Sequence, residues 1–139
     1  MNRVFYLFAR DETGIPDQAS LLAALRAAFG APWWVDTKVL FGLGECLYVH
    51  PDETWSVRVQ VSGPEPGEPD EPGDFSGFYK TVRKTSPFDF THARRYVHVV
   101  FGEDPEDEHT TSSGLVLLEW LQELIPGSVI YACSAKTLL

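Results

Sequence analysis

Four histidines, two cysteines and twenty carboxylates are the side chains here that could cleave, transfer or coordinate, and their spacing decides whether they can act as a set. His50 ends an apolar run, His98 alternates within one, and His92 and His109 lie near element boundaries. None has the HxxxH or HExxH spacing that puts two metal-binding groups on one helix face, so no zinc site is expected. The run "DPEDEH", Asp104 to His109, gathers oxygen donors for a hard cation. It lacks the glycine with which a calcium loop makes its sharp turn. The same residues read as an acidic lead-in to a helix, favoured by the positive end of the helix dipole. No metal or cofactor is expected.

Candidate nucleophiles fare similarly. Cys46 in "ECLYVH" and Cys133 in "VIYACSA" sit in apolar runs, where a thiol serves as a small hydrophobe. Neither is flanked by a cation or a helix N-terminus that would lower its pKa. Ser112 and Ser113 follow His109 closely but lack a strand-turn-helix elbow, and they read as helix caps. Glu119 and Glu123, one helical turn apart, fit a solvated face. Gly42 and Gly44 have neither the third glycine nor the following helix of a dinucleotide fingerprint and read as turn chemistry. The expectation is a protein that is not an enzyme. The alternative is a small-molecule-binding or enzymatic domain whose pocket opens between sheet and helices, lined by residues such as Tyr48, Tyr96 and His98.

Charge is distributed unevenly. Eleven cations against twenty acids give a formal charge of -9, which disfavours nucleic acid and anionic membrane as partners and favours a basic protein. The stretch "SGPEPGEPDEPGDFSG", Ser62 to Gly77, carries five carboxylates and no cation, and "EDPEDE", Glu103 to Glu108, carries five more. The remainder sums to +1, so two tracts hold the whole net charge. A basic element, "KTVRKTSPFDFTHARR", mixes Lys80, Arg83, Lys84, Arg94 and Arg95 with Phe88, Phe90 and Tyr96. Such mixing can stack and neutralise single-stranded nucleic acid. Beside two acidic tracts it reads better as their internal complement.

These groups need elements to position them. Val4 to Ala9 is apolar on both alternating faces, as in a strand buried inside a sheet. "TGIPDQASLLAALRAAFG" reads as a helix: Pro16 pre-sets its first turn, Asp17 favours its dipole, Gly30 closes it, and Leu21, Leu22, Leu25, Ala28 and Phe29 form its stripe. "WVDTKVLF" and "ECLYVH" are strands joined by a tight turn. "WSVRVQV" alternates Trp55, Val57, Val59 and Val61 inward with Ser56, Arg58 and Gln60 outward. "FYKTVRK" suits a return strand and "RRYVHVVF" another. Then comes a helix with apolar Leu117, Leu118, Trp120, Leu121, Leu124 and Ile125, stopped by Pro126 and Gly127, and a last strand "SVIYACS".

The expected fold is α+β: one domain over residues 1–139, with a largely antiparallel or mixed sheet, two helices packed on it, and residues 62–77 as a long acidic Pro/Gly-rich loop. Cutting at that loop would leave pieces of 61 and 62 residues, each with a marginal core. No apolar run reaches eighteen residues and the N-terminal one spans only Val4 to Ala9, so neither a membrane span nor a signal core is expected and the expected location is cytoplasmic.

In "APWWVD", adjacent strand residues face opposite ways, so one of Trp33 and Trp34 can enter the core while the other stays at the surface. An exposed tryptophan beside acidic loops is a typical interface anchor. The acidic tracts and the ending "LVLLEWLQELIPGSVIYA" resemble in character the immunity proteins that bacteria pair with polymorphic or contact-dependent toxins. The resemblance implies a partner such as a toxin domain, for example a nuclease. The expected partner-binding residues are Trp34, Asp52, Glu53, Glu65, Glu68, Asp70, Glu71, Asp74, Glu103, Asp104, Glu106, Asp107 and Glu108.

Overall fold

The computed structural model describes residues 3–41, 44–52, 55–62, 89–90, 93–102, 108–132 and 137–138. In chain order these form β1 (Arg3–Ala9), a 3-10 turn (Glu12–Gly14), α1 (Gln18–Ala28), β2 (Trp34–Leu40), β3 (Gly44–Asp52) and β4 (Trp55–Ser62). Then follow β5 (Tyr96–Phe101), α2 (Glu108–Leu124), β6 (Ser128–Ala132) and a two-residue β7 (Thr137–Leu138) that the sequence pattern does not announce. The chain is α+β. The expected acidic loop beyond Ser62, the return strand at Phe78–Lys84 and Cys133 lie outside the described residues.

The seven strands make one sheet in the order β2-β3-β4-β5-β1-β6-β7, with antiparallel pairing throughout. β1, apolar on both faces, lies inside the sheet between β5 and β6. β5 lies between β4 and β1, so a strand from after the acidic segment is inserted between two from before it.

The two-residue period of each strand sends alternate side chains to opposite faces. One face carries Phe5 and Leu7 of β1, Leu47 and Val49 of β3, Val57 and Val59 of β4, Val97 and Val99 of β5 and Ile130 of β6, all buried. Leu21 and Leu25 of α1 and Leu117, Leu121 and Ile125 of α2 join them in one core. Burying each such side chain contributes about 1.5–3 kcal/mol, which makes this layer the main source of cohesion.

α1 starts one residue later than its sequence suggests. Asp17 keeps extended backbone (φ -71°, ψ 170°) and its Oδ1 accepts the Ser20 N–H at 2.7 Å, so Asp17 is the N-cap and Pro16 stands outside the helix. That backbone bond, helped by the Ser20 hydroxyl, holds the Asp17 carboxyl below the usual carboxylate range. Leu21 and Leu25 of the expected stripe are buried, Leu22 and Phe29 pack against the core, and Ala28 is exposed. Gln18, the first helical residue, donates to the Glu45 carbonyl at 2.8 Å and accepts the Val61 N–H at 2.9 Å. Its amide bridges β3 and β4 just beyond their last aligned pair, Leu47 with Val59, and satisfies backbone groups there.

α2 corrects the expected capping. It begins at Glu108, so Ser112 and Ser113 sit inside it rather than at its start. Thr110 to Gly114 offers no apolar residue, which hides the first turns from any reading of hydrophobic period. Ser113 is instead buried, and a Cβ added at Gly114 would fall inside van der Waals contact with the Phe101 ring. Small residues are what let α2 close on β5.

Two outcomes follow from this packing. Gly114→Ala should destabilise by about 1–3 kcal/mol, since overpacking against Phe101 outweighs the ~1 kcal/mol that helix propensity returns. In a Phe101→Leu background most of that penalty should disappear. Urea unfolding of the four chains of the cycle measures it, and a stabilised Gly114→Ala would contradict the close approach. Separately, protease cutting within 62–77 should leave fragments that elute together, because β5 remains held by β4 and β1; fragments that separate without denaturant would contradict the interleaved strand order.

Candidate functional site

The face of the sheet turned away from α1 and α2 has a different chemistry. Strand register lines up Asp36, Tyr48, Arg58, Val100 and Val4 in one row across five strands. Trp34 and His50 are cross-strand partners to one side, while Gln60, His98, Tyr6 and Tyr131 align on the other. Tyr48, Tyr96 and His98 therefore point away from the helices, opposite to the buried Leu47, Val49, Val97 and Val99. A pocket between sheet and helices is not lined by them, and the residues that do fill that interface are apolar.

Tryptophan side chains separate as strand alternation requires. Trp33 packs toward the core, stacked on Phe29 with ring centres 4.8 Å apart, and Phe29 meets Trp120 edge-on at 5.3 Å. Trp34 keeps 40% of its surface exposed and lies flat on His50, ring centres 4.7 Å apart and planes 5° from parallel. His50 Nε2 stands 2.9 Å from Asp36 Oδ1, and the pair locks the imidazole under the indole. Lys38 Nζ sits 5.5 Å from the centre of the Tyr48 ring, a cation over a π-face. These contacts are diagonal or directly opposed pairs across β2 and β3, the unit by which sheets fix side chains.

An Asp–His pair can hold a proton for a nucleophile, but the described residues bring no serine or cysteine hydroxyl or thiol to His50 in hydrogen bonding. Cys46 is buried in β3, and burial pushes its thiol up from its ordinary value against the opposing pull of Arg58, the reverse of an activated nucleophile. Glu119 and Glu123 are both exposed on α2. No group of three or more histidine, cysteine or acidic side chains among the described residues is placed to hold a metal. What the Trp34–His50–Asp36 set does is hold a large ring rigid at the surface.

Further along the same face, His98 stacks on Tyr6 at 4.9 Å, Tyr6 meets Tyr96 edge-on at 5.7 Å, and Phe8 stacks on Phe90 at 4.4 Å. Phe90 and Ala93 close a second small core with Phe8 and Tyr131. Phe90 is thus buried and gives nothing to a nucleic-acid stacking platform, while the backbone N–H of Arg94 donates to Glu12 Oε1 at 3.0 Å. Arg95 is half-buried just before β5, and the remaining cations of that element, Lys80, Arg83 and Lys84, lie outside the described residues. Beside Phe90 a cavity of about 190 Å3 is lined by Phe8, Ala9, Arg10, Glu12, Asp89 and Ala93. It is smaller than the ~300–1,000 Å3 typical of pockets for organic ligands.

Of the expected partner-binding residues, Trp34 is placed at the surface, Asp52 ends β3, and Glu108 begins α2. Glu53, Glu65, Glu68, Asp70, Glu71, Asp74, Glu103, Asp104, Glu106 and Asp107 lie outside the described residues. Sequence reasoning missed Asp36 and His50, which only register brings together; the one signal was the alternation phase that Asp36 shares with Trp34 within β2. No helix among the described residues is long and apolar enough to cross a membrane. No protein-family model, curated protein or solved structure matches the chain.

Burial, with the nearby Arg58 guanidinium second, holds His98 below the ordinary histidine value of 6.5. The unfolded chain therefore takes up a proton at higher pH than the folded one. Stability should fall as pH drops below 6.5, until the folded ring itself protonates, and this contribution should be constant above it. An NMR titration of the His98 imidazole should give a midpoint below 6.5, and Arg58→Met should raise it without restoring 6.5, because burial remains. A midpoint at or above 6.5 in the parent chain would show that this face is wetter than its packing implies.

Proposed function

We propose that this chain is a non-enzymatic binding protein that captures a basic protein, with the helix-free face around Trp34 as its anchor and the acidic tracts as its steering charge. The observation that carries the reading is the exposed Trp34 ring stacked on His50, which Asp36 fixes. A preorganised aromatic loses little conformational freedom when a partner covers it, and tryptophan dominates binding energy at interface centres.

Connectivity supports the pairing of anchor and charge. Val35, Val49, Val57 and Phe101 share one row, so β5 ends level with the start of β2. The chain leaves β5 at Gly102, whose N–H bonds the Ser56 carbonyl at 3.1 Å, and the next residues are Glu103 to Asp107. β5 thus ends at the same end of the sheet that carries Trp34. A formal charge of -9 suits a cationic surface, and a toxin domain such as a nuclease, as the immunity-protein resemblance implies, is a partner of that kind.

The test is whether a basic protein co-purifies with the chain from its own lysate and, with that protein, binding kinetics measured at two salt concentrations. Reversing Glu103, Asp104, Glu106 and Asp107 to lysine should slow association and flatten its salt dependence while leaving the unfolding midpoint nearly unchanged. Trp34→Ala should mainly speed dissociation, costing on the order of 2 kcal/mol or more. Unchanged rates in both variants would remove the anchor-and-steering account.

A further inference from the structure

β2 closes one end of the sheet, and among the described residues it has a strand neighbour on one side only. Its pairing with β3 runs from Trp34 to Leu40 without a bulge, leaving a straight seven-residue edge. Among the described residues no element covers it: Val39 is 80% exposed, Phe41 just past its end is fully exposed, and Thr37 and Lys38 are exposed as well. Long regular edges with apolar side chains attract further strands, and natural sheets usually block them with charges. This edge has charges, but of a particular pattern.

The sequence Trp34-Val35-Asp36-Thr37-Lys38-Val39-Leu40 is its own complement when a copy is laid antiparallel with Thr37 opposite Thr37. Residues equally distant from Thr37 then oppose one another. Asp36 meets Lys38 of the second copy and Lys38 meets Asp36 of the second copy, on the face shared with Trp34. Val35 meets Val39 on the helix side, and Trp34 meets Leu40. Opposite charges directly across an antiparallel pair are favourable, and apolar pairs likewise. An in-register parallel copy would set Asp36 against Asp36. A one-residue slip would turn unlike faces together. Asp36 uses Oδ1 for His50, which leaves its second oxygen for a lysine. The side-chain bond given to the β2 backbone by described residues, Arg26 Nη2 to the Val35 carbonyl, is long at 3.5 Å and competes little with a strand.

We propose that two copies of this chain join through β2 about a two-fold axis at Thr37, continuing the sheet across both. The interface is isologous, so each complementary pair occurs twice. This inference does not rest on the proposed capture of a basic protein, although the two share Trp34 and Asp36: the dimer is read on the chain alone, whereas the capture is read by binding of the partner and its steering by positions 103 to 107.

Sedimentation velocity on the full chain, from micromolar to several hundred micromolar, reads the association directly. At about 150 mM salt, the like charge of the two copies is screened beyond ~8 Å. The parent chain should show a concentration-dependent dimer. Asp36→Lys alone, or Lys38→Asp alone, should weaken it at least tenfold, because like charges then oppose. Mixing those two variants should restore a dimer containing one of each, since a doubly positive strand then faces a doubly negative one; loss of folding could not produce that recovery. Thr37→Cys should form an intermolecular disulfide under mild oxidation, since Cα atoms opposed across antiparallel strands lie within disulfide reach. A parent chain that stays monomeric throughout, or a dimer indifferent to both charge substitutions, overturns the proposal and leaves the edge to a strand of another protein.

Discussion

The strict alternation of side chains along an antiparallel sheet, with both helices on one side, is the constraint from which the rest of this molecule follows. A single row, Thr37, Leu47, Val59, Val99, Phe5 and Ala132, crosses six strands in unbroken register, and every residue of it from Leu47 onward is buried. Leu21, Leu25, Leu117 and Leu121 cover that face. Because a shift of one residue would exchange the two faces of any strand, this apolar layer fixes the register, and the register fixes what stands on the far side. The Trp34–His50–Asp36 set is thus a consequence of core packing on the face it does not touch.

Interleaving gives the acidic segment its meaning. β4 enters it and β5 pairs with β4 after it, with β1 inserted between β5 and β6. Strands on either side of residues 63–88 depend on one another for their ladder bonds. Gln18 reinforces the arrangement from outside the sheet, its one amide serving a carbonyl of β3 and an N–H of β4.

Much of the local structure was legible because it rests on local patterns. The alternation in Trp55 to Val61, the double-sided apolar run of β1 and the stripe of α1 all depend on near neighbours in sequence, and each element formed where its period indicated. Strand order was not legible, since pairings such as Tyr6 with His98 join residues far apart in the chain. The start of α2 escaped notice because contact with Phe101 selects small residues there, erasing the apolar stripe. Likewise the opposite destinations of Trp33 and Trp34 followed from alternation, but which of them entered the core depended on where β2 begins. Asp36 and His50 became a pair only through the β2–β3 register.

The functional reading rests on the separation of the two faces: one sealed by helices, the other presenting a fixed indole at an open edge of the sheet. Nuclear Overhauser contacts from the ring protons of Tyr48, His50 and His98 test that separation most directly. Contacts of His50 with Trp34, of Tyr48 with Lys38 and of His98 with Tyr6 are expected, and none with side chains of Gln18–Ala28 or of residues 113–124. Contacts from these rings to Leu21, Leu25, Leu117 or Leu121 would place them under the helices and contradict it.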